Sequence, residues 1–192
     1  NQKIFLNEKG VDFKERVKKI CELVKDKPVS IESNGKDIIE ILNDARDFVK
    51  IAKNIIVKIP MTKDGIGLEA VKILSDEGIK TNVTVMMNFN QLMLATKAGA
   101  TYISLFFNRS KDAGENADNI VTDITNWINS NGYKTKLIVG SIRNTKDVAD
   151  VAILGAHIIT IPYKILVEMP FHEKTEETIK EFDLAWQEFN TK

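Results

Sequence analysis

The sequence predicts an α/β protein built as a (β/α)8 TIM barrel, with its first one to two strands lying before the first residue and an extra helix at the C-terminus. Three observations predict it. Short β-branched runs alternate strictly with segments of helical period, the connections between them are short, and polar residues gather on one parity near the carboxyl end of each run. A length of 192 residues suits a single domain, here 1–192.

Six runs read as strands: 28–33, 54–60, 79–85, 100–106, 135–141 and 156–162. The segments between and around them, 11–25, 36–51, 65–77, 89–98, 114–131 and 145–154, place apolar residues three or four apart, as Val11, Phe13, Val17, Ile20 and Val24 do. Asp76-Glu77-Gly78 and Ala98-Gly99 put a glycine at a helix end, where a left-handed residue is wanted. A last helix, 173–190, carries Phe182, Trp186 and Phe189 on one side. Six strand–helix units fit either an open doubly wound sheet or an incomplete barrel. Ser30 and Glu32, Lys58, Asn82 and Thr84, Ser104, and Ser141 followed by Arg143 each stand near the end of their own strand, which favours the barrel. No GxGxxG loop follows a strand, so a dinucleotide fold is disfavoured.

Twenty-seven basic side chains balance twenty-seven acidic ones, leaving a formal net charge of zero. Without a basic field or run, neither nucleic acid nor an anionic membrane surface is expected as a partner. The lone Cys21 has no internal disulfide partner, and no apolar stretch or signal pattern marks a membrane span or secretion. A reducing, cytoplasmic compartment is expected. Asn1-Gln2-Lys3 carries no initiator Met and runs straight into Ile4-Phe5-Leu6, so the sequence is expected to open inside a domain.

Lys58 stands within Ile55-Ile56-Val57-Lys58-Ile59-Pro60, surroundings that penalise an ammonium ion, and a neutral amine is what carbonyl attack requires. The plainer reading is a lysine that snorkels from a strand end or pairs with a carboxylate. Glu32 one strand earlier, and Asn82 and Thr84 one strand later, share its parity. That set could form a carbinolamine and expel water from it. Arg109 and Arg143, with the hydroxyls of Ser104 and Ser141, would make an anion site for a phosphate or sulfonate, although either arginine alone reads as a surface residue. Phe106 faces inward with Ser104, or simply fills the barrel. His157 and His172 lack partners at metal-ligand spacing, so no metal and no cofactor is expected. Met86-Met87, Trp127 and Trp186 read as packing residues.

Taken in order, Ile56-Val57-Lys58-Ile59-Pro60-Met61-Thr62, Gly78-Ile79-Lys80-Thr81-Asn82-Val83-Thr84, Lys97-Ala98-Gly99-Ala100-Thr101-Tyr102, Ser104-Leu105-Phe106-Phe107-Asn108-Arg109 and Gly140-Ser141-Ile142-Arg143 resemble the small transaldolases and the related fructose-6-phosphate aldolases. Those are Schiff-base enzymes on a (β/α)8 barrel, and the resemblance runs over essentially the whole chain. It implies that Lys58 is the Schiff-base lysine and Glu32 the carboxylate that activates a catalytic water. Asn82 and Thr84 would hold that water and the dihydroxyacetone end of the substrate. Ser104 and Asn1 would contact the same end, while Arg109, Ser141 and Arg143 would clamp a phosphate. Asn1 resembles the asparagine of a Thr-Thr-Asn motif, which places the first strand and its acid–base aspartate upstream of the sequence. Glu32 and Phe106 are of the transferase kind, aldolases having Gln and Tyr there.

The expected activity is therefore a transaldolase, moving a dihydroxyacetone unit from sedoheptulose 7-phosphate or fructose 6-phosphate to an aldose phosphate, in the pentose phosphate pathway. The alternatives are a fructose-6-phosphate aldolase, a transaldolase for a modified ketose such as a sulfonated one, and, in another class, a noncatalytic sugar-phosphate-binding barrel. Leu105, Phe107-Asn108, Ser110-Lys111, Gly65-Ile66-Gly67-Leu68 and Met86-Met87-Asn88 depart from the family pattern around the substrate mouth. The resemblance also implies a homo-oligomer, a pentamer or decamer, with 173–190 at the subunit interface.

Overall fold

The computed structural model describes residues 10–191. Asn1, expected to touch the dihydroxyacetone end, lies outside the described residues, as do Ile4-Phe5-Leu6. In chain order the elements are α1 (Phe13–Leu23), β1 (Val29–Glu32), α2 (Ile38–Phe48), β2 (Ile55–Pro60), α3 (Ile66–Asp76), β3 (Thr81–Met86) and α4 (Phe89–Lys97). They continue as β4 (Tyr102–Phe106), α5 (Phe107–Asp112), α6 (Ala117–Ser130), β5 (Lys136–Gly140), α7 (Thr145–Ile153), β6 (Ile158–Ile159), α8 (Tyr163–Glu168) and α9 (Glu173–Asn190).

The strands form one sheet in the order β1-β2-β3-β4-β5-β6, with every neighbouring pair parallel. Strand order that simply follows chain order is decisive. A doubly wound sheet reverses direction at a switch point, whereas right-handed crossovers that never reverse put every connecting helix on the same face. The opposite face is left to curl inward. Asn82 Nδ2 on β3 donates to Ser30 Oγ on β1 at 3.1 Å, across the intervening β2. Strands two apart in a flat sheet are separated by roughly 9 to 10 Å, so two such short side chains meet because the sheet is strongly curved. The described residues thus make a six-stranded, curled half of a barrel; the complete eight-stranded closure is not reached within them.

Burial follows parity. Val57, Ile59, Val83, Ile103, Leu105, Leu137 and Val139 are buried with Val71, Leu74, Leu92, Val121 and Ile124 from the helices, forming the core between sheet and helix layer. A smaller cluster of Val17, Cys21, Ile31 and Ile55 fixes α1 on the first two strands, where burial pushes the Cys21 thiol up. Five helices begin at Asp12, Asp37, Asn88, Asn116 and Asn144, whose side-chain oxygens accept the backbone N–H three residues on. Trp127 stacks on Tyr133 with ring centroids 5.0 Å apart and meets Phe89 edge-on, and Met86 is fully buried. The packing assignments of Met86 and Trp127 hold, whereas Trp186 is exposed on α9.

Two short helices were not expected. α5 begins at the residue after β4, and its six residues span too little for a 3.6-residue period to show. α8 starts behind Pro162, whose missing N–H suits a helix start, and buries Ile165. β6 is only two residues long, but Thr160 N–H still donates to Val139 C=O at 2.9 Å and prolongs the ladder. α9 buries none of its residues.

Candidate active site

The polar face of the curled sheet assembles the residues that parity singled out. Glu32 is the register partner of Lys58, and Lys58 is the partner of Asn82, so the three form one row across β1, β2 and β3. Parallel pairing with no offset puts their side chains on the same face, because each shares its neighbour's place in the pleat. Lys58 Nζ lies 3.1 Å from Glu32 Oε2, and the two side chains are only 16% and 14% exposed.

The aliphatic neighbours in sequence do not surround that amine. Val57 and Ile59 point the other way, into the core under the helices. What Nζ meets is a carboxylate; of the apolar run, Ile55, Val57 and Ile59 face the helices, and Ile56 shares the face of Lys58. Lys58 pairs with one carboxylate, Glu32, the partner that both readings of this residue call for.

Ser104 Oγ donates to Asn82 Oδ1 at 2.7 Å, and Asn82 passes the chain on to Ser30. The amide is thereby fixed in orientation by partners on both sides. One row higher, opposite Pro60, Thr84 is fully buried and its hydroxyl has no hydrogen-bond partner among the described residues. A buried hydroxyl with an unused bond is costly unless water or a ligand meets it, so this is where a bound water or substrate oxygen belongs. Just beyond it the β3–β4 register shifts, and Val85 adopts φ 62, in the left-handed region that a β-branched residue seldom occupies. The bulge interrupts the pairing beside Thr84, and the ladder resumes where Met86 meets Leu105; strained backbone of this kind recurs at functional sites.

The remaining candidates line the rim. The Arg109 guanidinium carbon sits 5.0 Å from the centre of the half-buried Phe106 ring, a cation–π contact that holds an exposed arginine over the site. Ser141 directly follows β5 with φ 62, and Arg143 comes two residues later, exposed. Arg143 is already engaged. Its two terminal nitrogens donate to both oxygens of Asp112 on α5, and that hydrogen-bonded guanidinium holds the Asp112 carboxyl below its usual range. Behind these, Asn108 Nδ2 donates to Ser141 C=O at 2.8 Å and to Asp147 Oδ2 at 2.6 Å, while Asp147 Oδ2 also accepts the Arg143 N–H at 2.8 Å.

The structure thus brings Lys58, Glu32, Asn82, Thr84, Ser104 and Phe106 to one face and Arg109, Ser141 and Arg143 to its rim. Sequence reasoning missed the roles of Asp112, Asn108 and Asp147. Asp147 sits in the first turn of α7, where an acid is ordinary, and Asp112 lies on a helix with no sequence signature. Among the described residues, no group of three or more His, Cys, Asp or Glu is placed to hold a metal, and no helix is long and apolar enough to cross a membrane.

The chain is 42% identical over 181 residues to a probable transaldolase of Methanococcus maripaludis (strain C6), covering 94% of this chain and 83% of that protein. It is 43% identical over 183 residues to a probable transaldolase of Thermoanaerobacter sp. (strain X514), covering 95% and 83%. Among solved structures, a mandelate oxidase variant with 2-hydroxy-phenylacetamide superposes with a TM-score of 0.54 at 12% identity, over 76% of this chain and 51% of that one, a likeness of fold alone. The family described as Transaldolase/Fructose-6-phosphate aldolase matches residues 13–191. On that match and on relatives above 40% identity over nearly its whole length, the chain belongs to the transaldolase/fructose-6-phosphate aldolase family.

Proposed function

We propose that the protein is a transaldolase that carries a dihydroxyacetone unit between sugar phosphates as a Schiff base on Lys58. The observation that carries this reading is the 3.1 Å contact between Lys58 Nζ and Glu32, both withdrawn from solvent on the polar face of the sheet. A paired ammonium and carboxylate form a proton store. Transfer of one proton from Nζ to Glu32 frees the amine lone pair to add to the C2 carbonyl of a ketose phosphate. Glu32, acting through a water held at the unpartnered Thr84 hydroxyl, then returns the proton to the departing C2 hydroxyl. Water leaves, and the nitrogen is a cationic imine.

The imine draws the electrons of the C3–C4 bond once the C4 hydroxyl loses its proton. The family resemblance assigns that base to an aspartate of the family's first strand. An aldose phosphate departs, and a three-carbon enamine stays on Lys58 until a second aldose phosphate accepts it. Asn82, fixed between Ser30 and Ser104, is suited to orient the hydroxyls of the three-carbon unit. Arg109, Ser141 and Arg143 would receive the phosphate, with Arg143 exchanging Asp112 for it. Nothing in the scheme calls for a cofactor. Phe106 presents no hydroxyl that could help protonate the enamine carbon and hydrate the imine that results, and so favours transfer over release.

The scheme is tested by adding borohydride to the protein with fructose 6-phosphate. A three-carbon increment on Lys58 is expected, and a folded protein that acquires none rejects the reading in favour of a noncatalytic binder. The same donor with and without erythrose 4-phosphate separates the two catalytic outcomes, since acceptor-independent release of dihydroxyacetone marks an aldolase. A panel of donors that includes a sulfonated ketose tests the identity of the anionic end. The apolar face of α9 is proposed to pack on a second copy of the chain in a cytoplasmic homo-oligomer.

A further inference from the structure

Two bridges tie α5 to the loop between β5 and α7. The outer one is the exposed Arg143–Asp112 pair. The inner one is Asn108, which is 9% exposed and donates both hydrogens of its amide, one to Ser141 C=O and one to Asp147 Oδ2. Asp147, 8% exposed, in turn fixes the backbone of Arg143. The two bridges differ in what a bound anion does to them. An anion that recruits the Arg143 fork removes it from Asp112 and opens the outer bridge. The inner bridge joins an amide whose donors are already used to a carbonyl and a carboxylate, none of which offers an anion a donor, so it stays closed.

From this we infer that Asn108 is a positioning residue: it sets the spacing of Arg109 and Arg143 when the rim holds a tetrahedral oxyanion, and so determines how strongly the enzyme selects substrates bearing one. Asn108 directly precedes Arg109 in α5, and its second partner, Ser141, lies two residues before Arg143. One planar amide thus relates the two arginines across strands β4 and β5. Ser141 is held at φ 62, a left-handed conformation that a non-glycine residue adopts at a cost, and its carbonyl is thereby turned to Asn108. Remove the amide, and a part-buried carbonyl and a buried carboxylate each lose a donor. The loop is then free to relax away from α5. The inference rests on the anion site proposed above, although its readout need not involve turnover.

The experiment compares the wild-type protein with Asn108→Ala and Asn108→Ser. Binding of inorganic phosphate is measured by calorimetry, KM and kcat with fructose 6-phosphate by a coupled assay, and Lys58 trapping with unphosphorylated dihydroxyacetone by borohydride. The expected result is phosphate affinity weakened about tenfold or more and KM raised in parallel, the scale of a lost buried hydrogen-bonded bridge, with kcat and dihydroxyacetone trapping little changed. Asn108→Ser, smaller but able to reach one of the two acceptors, should fall between and serves if Asn108→Ala does not fold. Unchanged phosphate affinity in either folded variant overturns the inference, as does a fall in dihydroxyacetone trapping that matches the loss of phosphate binding. Phosphate bound by a wild-type protein that forms no Schiff base, and weakened in Asn108→Ala, would reject the transaldolase reading while leaving the role of Asn108 standing. Absence of phosphate binding to wild type overturns both the anion site and this inference.

Discussion

Lys58 shows why sequence neighbours are a poor guide to a side chain's surroundings in a strand. Its aliphatic flanks lie in the core, and its amine lies against Glu32. Glu32→Gln removes the proton acceptor but keeps the shape. It is expected to lower kcat about 10²-fold or more, the usual contribution of a positioned acid–base group, with a smaller change in KM. Lys58→Met should abolish borohydride trapping, and persistence of the adduct in that variant would place the Schiff base elsewhere. Phe106→Tyr is expected to raise acceptor-independent release of dihydroxyacetone, read as the ratio of release to transfer in one assay. The pairing of Lys58 with Glu32 was legible because both share a parity on adjacent strands. Asp112 and Asn108 were not, because each acts across about 31 to 39 residues on partners that no periodicity connects.

Elements meet at a few close contacts that set where the site's strands end. A Cβ on Gly67 would lie 2.6 Å from the carbonyl oxygen of Pro60, two residues beyond Lys58, so α3 can sit on the end of β2 only with a glycine there. Gly67→Ala is expected to destabilise the protein by about 1–3 kcal/mol in denaturant titration, and to lower kcat by displacing the end of the strand. At the other side of the sheet, Leu137 N–H donates to His157 Nδ1 at 3.2 Å, so the imidazole takes the place of a strand partner just before β6. Burial, and then Lys136, push His157 below its ordinary value of 6.5. The unfolded chain therefore binds this proton at higher pH than the folded one. The contribution to stability is full above about 6.5 and is lost as pH falls through the depressed folded value. The denaturation midpoint should drop between about pH 7.5 and pH 5. His157→Gln should drop less, and an equal drop in both would clear this residue of the effect.

At the scale of the whole molecule, most apolar surface of the described residues disappears between sheet and helices, while single aliphatic side chains such as Leu23, Ile39 and Ile153 stay open and the exposed aromatic ones all lie from residue 163 onward. Phe182, Trp186 and Phe189 on α9 are 69%, 64% and 70% exposed, and Tyr163 and Phe171 beside them are equally open. Exposed apolar area of this extent is what an interface between copies would cover. Phe182→Ser with Trp186→Ser is expected to reduce the mass measured by light scattering toward that of the single chain, with Lys58 trapping retained. The same assembly state in wild type and variant would remove α9 from the interface.

Alternation of strand and helix, the parity of each strand and the common face of Lys58, Glu32, Asn82 and Ser104 were set by the order of residues, because periods of 2 and 3.6 are local properties that the backbone obeys wherever it folds. The direction of the winding, the curl that lets Asn82 reach Ser30, the capture of Arg143 by Asp112 and the amide bridge of Asn108 belong to the tertiary structure. Those depend on how one strand is placed against another several elements away. Packing decides that placement, and packing is a property of the whole chain at once.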